Sequence, residues 1–148
     1  MSVTLPRLRS QLLFAAVFLG LAAPSLAAPS ANVAYRAFRS PTGAITCGIL
    51  NMGGRNPNHF ASCASNYTDR QALRGPCGAG SEVTIDQRGW AHLIPNCNAF
   101  GSHLSPLAYG DTLRMGDFRC FSEPTGITCL SLASGHGFRL NRDSLRRF

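Results

Sequence analysis

Six cysteines, at positions 47, 63, 77, 97, 120 and 129, are the residues of this chain with the most chemistry to offer. As thiolates they would bind zinc or attack an electrophile; as oxidised pairs they only cross-link. Structural zinc sites use close ligand pairs such as Cys-x2-Cys, and none of these intervals is that short. His59, His92, His103 and His136 lie far apart as well, so no metal site is expected. The chain also lacks a P-loop, a Gly-x-Ser-x-Gly elbow and a His-Glu-x-x-His helix, so no cofactor is expected. The simplest pairing joins neighbours: Cys47–Cys63, Cys77–Cys97 and Cys120–Cys129.

The other residues with recognition chemistry are few. His136 sits between Gly135 and Gly137, which frees the local backbone and lets the ring be displayed. With an acidic partner it would serve a small extracytoplasmic hydrolase, and Asp111 and His103 are the groups that folding would have to bring near it. Trp90 and Tyr109 are candidate contact residues, with a core role as the ordinary alternative for both. All fourteen basic residues are arginines, against seven acids, for a formal net charge of +7. Arg114 and Arg119 flank one turn, while Arg139, Arg142, Arg146 and Arg147 gather near the end of the sequence. Such a patch suits an anionic envelope component or another protein. Nucleic acid is disfavoured, since no stacking array accompanies the arginines. The carboxylates are spaced singly and show no pair suited to glycoside cleavage.

The cysteines take their meaning from the first 28 residues. Arg7 and Arg9 form a basic end and residues 12–23 an apolar run. Ser25-Leu26-Ala27 then offers small residues for cleavage after Ala27 or Ala28. The run falls short of the roughly 20 residues that span a bilayer, and Pro24 breaks it. A signal peptide over 1–28 predicts a secreted or extracytoplasmic protein with disulfide bonds and no membrane span after cleavage. Arg7 and Arg9 leave with the leader, so the basic excess shrinks. A flexible lead-in over 29–36 and one disulfide-stabilised domain over 37–148 complete the organisation.

Within that domain, short apolar or alternating runs are separated by Gly, Pro, Asn and Asp. They predict strands at 35–39, 45–51, 60–64, 82–85, 90–94, 111–114, 118–121, 127–130 and 138–140. The connections are too short for helical crossovers. The expected fold is therefore mainly β, a small antiparallel sheet or barrel-like domain with little helix. Helix is limited to a turn or two over 65–73 and a short terminal segment capped by Asn141 through Leu145. The Pro124-Thr125 turn, read as a two-residue loop, sets Cys120 directly opposite Cys129, whereas a bulge at Gly126 would shift that register by one. Residues 53–58 read as a surface loop, the candidate contact if the protein is a secreted inhibitor.

Phe38-Arg39-Ser40-Pro41-Thr42-Gly43 before Ile45-Thr46-Cys47 echoes Phe121-Ser122-Glu123-Pro124-Thr125-Gly126 before Ile127-Thr128-Cys129. Duplication and shared turn chemistry explain the echo equally well. These segments, with Leu107-Ala108-Tyr109-Gly110 and Ser134-Gly135-His136-Gly137-Phe138, resemble a family of small exported bacterial proteins. That family is frequent in actinobacteria and is classed as a domain of unknown function. The resemblance covers most of 37–148, is weakest over 53–88 with Cys77, and implies export and a disulfide-bonded fold but no activity. The expected function is a non-enzymatic binding or interaction module at the cell envelope or outside the cell. The hydrolase using His136 and the secreted inhibitor stand as alternatives.

Overall fold

A computed structural model describes residues 33–53, 59–71, 80–96, 100–101 and 103–148. The expected leader, the lead-in as far as residue 32, the 53–58 loop beyond Gly53, and the Cys77–Cys97 bridge lie outside these residues. Among the described residues ten strands form two antiparallel sheets of five. The first holds β1 (Ala34–Arg39), β2 (Ile45–Asn51), β3 (Phe60–Ser65), β4 (Ser81–Asp86) and β5 (Ala91–Pro95) in chain order. The second holds β6 (Thr112–Met115), β7 (Phe118–Glu123), β8 (Gly126–Ser131), β9 (Gly137–Leu140) and β10 (Leu145–Arg147), again in chain order. All nine expected strands are present, as two open sheets rather than a closed barrel.

Burial alternates along β7, whereas β3 and β4 are buried on both faces. In β7, Phe118, Cys120 and Ser122 are buried while Glu123 is exposed. One core lies between the sheets, built from Phe38, Ile49, Val83 and Ile85 of the first and Phe118, Ile127, Phe138 and Leu140 of the second. Burying each such side chain contributes about 1.5–3 kcal/mol. Cys47 opposes Cys63 across β2 and β3, and Cys120 opposes Cys129 across β7 and β8; both pairs are disulfide-bonded with Cα atoms 4.1 Å apart. The sulfurs of Cys47, Cys63 and Cys129 lie within 4.8 Å of one another. That closeness is the contact of two disulfides, whose sulfurs carry no thiolate charge.

The predicted register of the β7–β8 hairpin holds at every position, with Glu123↔Gly126, Ser122↔Ile127, Phe121↔Thr128 and Cys120↔Cys129. The echoed turn does the same job in a longer loop. Gly43 N donates to Ser40 O at 2.9 Å, so Ser40-Pro41-Thr42-Gly43 is also a turn with Pro second and Gly fourth. The repeat of topology, however, matches β2 with β7 and hence Cys47 with Cys120, whereas the echo matches Cys47 with Cys129. The echo is therefore out of step with the repeated strand order.

One element is corrected. The segment after Asn141 is no helix: Leu145–Arg147 is strand β10, with Leu145 opposite Leu140. Asn141 Oδ1 accepts from Asp143 N at 2.8 Å and Ser144 N at 2.7 Å, which closes a turn. Leu145 then packs against the core, and pairing with β9 outweighs a helix too short to stabilise itself. The other expected helix is present as α1 (Asn66–Arg70), capped by Ser65 with Thr68 completing a capping box. Among the described residues no helix is long and apolar enough to cross a membrane.

Between the sheets, residues 104–107 run along the edge of β1. Leu104 O accepts from Arg39 Nε at 2.9 Å, and Leu107 N donates to Arg39 O at 2.9 Å. Phe100 reaches the outward side of the first sheet over Gly48, beside the Tyr35 hydroxyl. Among the described residues that face is covered at Gly48, whereas Arg114 and Arg146 on the outward side of the second sheet are exposed.

Candidate functional site

Successive hairpin turns of a meander alternate between its two ends, and that alternation separates the candidate residues into two groups. At one end the β4–β5 turn meets the β8–β9 turn. Asp86 Oδ1 accepts from Arg88 N at 2.8 Å and Gly89 N at 3.2 Å, which fixes the first turn. Gly89, at φ +88°, sits so close to Ser134 that a Cβ there would stand 1.9 Å from Ser134 Oγ. Only glycine allows this approach. It delivers Trp90 onto His136, with ring centroids 4.2 Å apart and planes 25° from parallel. Trp90 is nevertheless 68% exposed, so its other surface stands open to solvent. His92 Nδ1 lies 3.0 Å from Trp90 O and steadies the backbone behind the ring.

At the opposite end, three turns surround a cleft of about 510 Å3. Both Pro-Thr-Gly turns line it, through Thr42 on one side and Pro124, Thr125 and Gly126 on the other, with Tyr109 as an aromatic wall 47% exposed. Arg139 stands beside it, 3.9 Å from Glu123 Oε2 and donating from Nη2 to Thr125 Oγ1. Glu123 and Asp143 line the same cleft, a grouping that their separation in sequence conceals. Asp143 in turn is paired with Arg142 at 3.4 Å. Both carboxylates are well exposed, and both already have a cationic neighbour.

The four candidates thus fall at two ends: Trp90 stacks with His136 at one, while at the other Tyr109 lines the cleft and Arg139 contacts Glu123 and Thr125 of its lining. Asp111 does not approach His136, because its carbonyl accepts from Ser122 N at 3.0 Å, at the other end of β7. His103 is exposed on the segment that leads to Pro106. Among the described residues no carboxylate hydrogen-bonds to the His136 ring.

Two groups were missed by sequence reasoning. Glu82 is 3% exposed, on the covered outward side of β4. Burial pushes its carboxyl pKa up, and a hydrogen bond from Ser62 opposes part of that rise. Among the described residues its Oε2 makes no hydrogen bond. The Tyr35 pKa is also raised, first by desolvation and then by the Glu82 charge. The available signal was period: Glu82 and Thr84 alternate with core residues Val83 and Ile85, a position that ordinarily faces water. Comparison with protein-family models, with curated proteins and with solved structures returns no match.

Proposed function

We propose that this chain is a secreted binding module, acting at the cell envelope or outside the cell, and that the Trp90–His136 platform is its contact surface. The observation that carries this reading is the state of Trp90. It is the only tryptophan in the chain, lies mostly outside the core, and stacks on the His136 imidazole. An aromatic side chain left exposed forgoes the stabilisation of burial. One that is also stacked on a second ring has already lost part of the freedom that binding would remove. The basic and apolar start of the sequence and the two buried disulfides support the extracytoplasmic setting.

Trp90 also supplies the assay, because all tryptophan emission comes from the site. Oxidised protein lacking residues 1–28 is titrated with fractionated envelope material and with extracellular proteins while emission is followed. The expected result is a saturable change with one fraction, and loss of that fraction's retention by Trp90→Ala. Equal retention by Trp90→Ala overturns the platform. Absence of binding together with His136-dependent hydrolysis of a substrate overturns the binding module itself.

A further inference from the structure

The register of the second sheet sorts its arginines. Leu113, Cys120, Cys129 and Phe138 oppose one another in a row that faces the core. The neighbouring rows must therefore face outward. One runs Arg114, Arg119, Leu130, Gly137; the other runs Thr112, Phe121, Thr128, Arg139, Arg146. Arg114 is thus directly opposite Arg119, and Arg139 directly opposite Arg146. Like charges set directly opposite on adjacent strands destabilise a sheet, and this face holds two such pairs. Among the outward positions of these strands Glu123 is the lone acid, and its contact with Arg139 is an exposed, long one at 3.9 Å. The Arg119 guanidinium lies 4.5 Å from the centre of the Phe121 ring, which holds it in place.

An oxyanion between two opposed guanidinium groups converts the repulsion into a pair of charge-assisted forks. The two arginine pairs belong to different strand pairs, β6/β7 and β9/β10, with β8 between them. A small anion reaches one pair only. At about 4.8 Å per strand the five-strand face spans roughly 19 Å, which a chain carrying repeated anionic groups can follow. A lipid surface fits less well. Phe121 lies beneath a guanidinium and Leu130 is half-buried, so among the described residues of this face only Phe148, over Gly137 at the margin, is free to insert.

We propose that this face binds a linear polyanion bearing phosphate or sulfate groups, each opposed arginine pair clamping one oxyanion. The surface is separate from the Trp90–His136 platform, and its fate in the test below is independent of it. Oxidised protein lacking residues 1–28 is applied to immobilised long-chain polyphosphate and to immobilised heparin over a range of salt. The double variant Arg114→Gln/Arg146→Gln, with one arginine removed from each pair, should bind about tenfold or more weakly at low salt. Its logarithmic salt dependence should be shallower by about two. The charge-matched variant Arg36→Gln/Arg88→Gln, with both changes outside this face, should bind like the wild type. Without polymer the first variant should melt no lower than wild type, because repulsion has been relieved. The proposal is overturned if both variants lose binding equally, if the first variant melts clearly lower, or if acidic phospholipid vesicles bind and neither polymer does.

Discussion

Cys63 Sγ lies 3.8 Å from Cys129 Sγ, although each sulfur is bonded to a different partner. Each bridge joins neighbouring strands within one sheet, so neither ties the two sheets together. The sheets are held by packing alone at this point, disulfide against disulfide, with all four cysteines fully buried. These two bridges therefore brace hairpins, and where they meet the sandwich is held by the apolar side chains around them.

That contact predicts a specific error in pairing. In Cys47→Ala the Cys63 thiolate can attack Cys129 Sγ; the Cys120–Cys129 bond breaks, Cys63–Cys129 forms, and Cys120 leaves as a thiolate that takes a proton. No external oxidant or reductant is consumed. Refolding the variant, alkylating free thiols and mapping peptides should recover Cys63–Cys129 and alkylated Cys120 beside the native bridge. Recovery of Cys120–Cys129 alone would show that the two sulfurs do not exchange. The variant should also lose about 2–4 kcal/mol of stability with its bridge.

The legible part of the fold is the local part. Ile45–Asn51 stands where alternation and flanking turns placed a strand, and the register from Glu123↔Gly126 to Cys120↔Cys129 follows from turn length. Leu145–Arg147 was misread because Asn141 caps a turn as readily as a helix, and only the distant partner Leu140 decides between them. The site was legible as residues and not as pairs. Strand order alone places alternate turns of each meander at a common end. Which end of one sheet meets which end of the other depends on packing between Cys63 and Cys129, about which local sequence is silent. Hence Trp90 and His136 were separate candidates whose contact could not be foreseen. The Arg139–Arg146 pair became visible only once β10 existed, since Arg146 has no cross-strand neighbour in a helix.

Glu82 makes stability depend on pH in an uncommon direction. Its pKa in the folded protein is raised above the ordinary glutamate value by burial. The folded state therefore holds the proton over a range where the unfolded chain has released it. The contribution of Glu82 to stability is greatest below the ordinary glutamate range and falls as pH rises through the raised folded value. Glu82→Gln removes the charge and keeps an acceptor for Ser62. Chemical denaturation across pH should show the variant more stable than wild type near neutrality, with the gap closing in acid. A gap that stayed constant with pH would mean that the charge on Glu82 carries no cost.

Gly89 and Gly135 allow the platform's geometry to be separated from its backbone strain. Both have positive φ, +88° and +76°, so alanine at either position costs about 1 kcal/mol or more from conformation alone. Their surroundings differ. A Cβ at Gly135 meets nothing within 4 Å, whereas one at Gly89 stands 1.9 Å from Ser134 Oγ, 2.4 Å from Ser134 Cβ and 3.3 Å from His136 Cδ2. Gly135→Ala should lower the melting temperature modestly and leave Trp90 emission unchanged. Gly89→Ala should force the two turns apart, unstack Trp90 from His136 and change the emission intensity. Because the closest obstruction is the Ser134 side chain, adding Ser134→Gly to Gly89→Ala should restore the wild-type emission while leaving the conformational cost in place. If the double variant emits like Gly89→Ala alone, the approach of Gly89 to Ser134 is not what holds the two rings together.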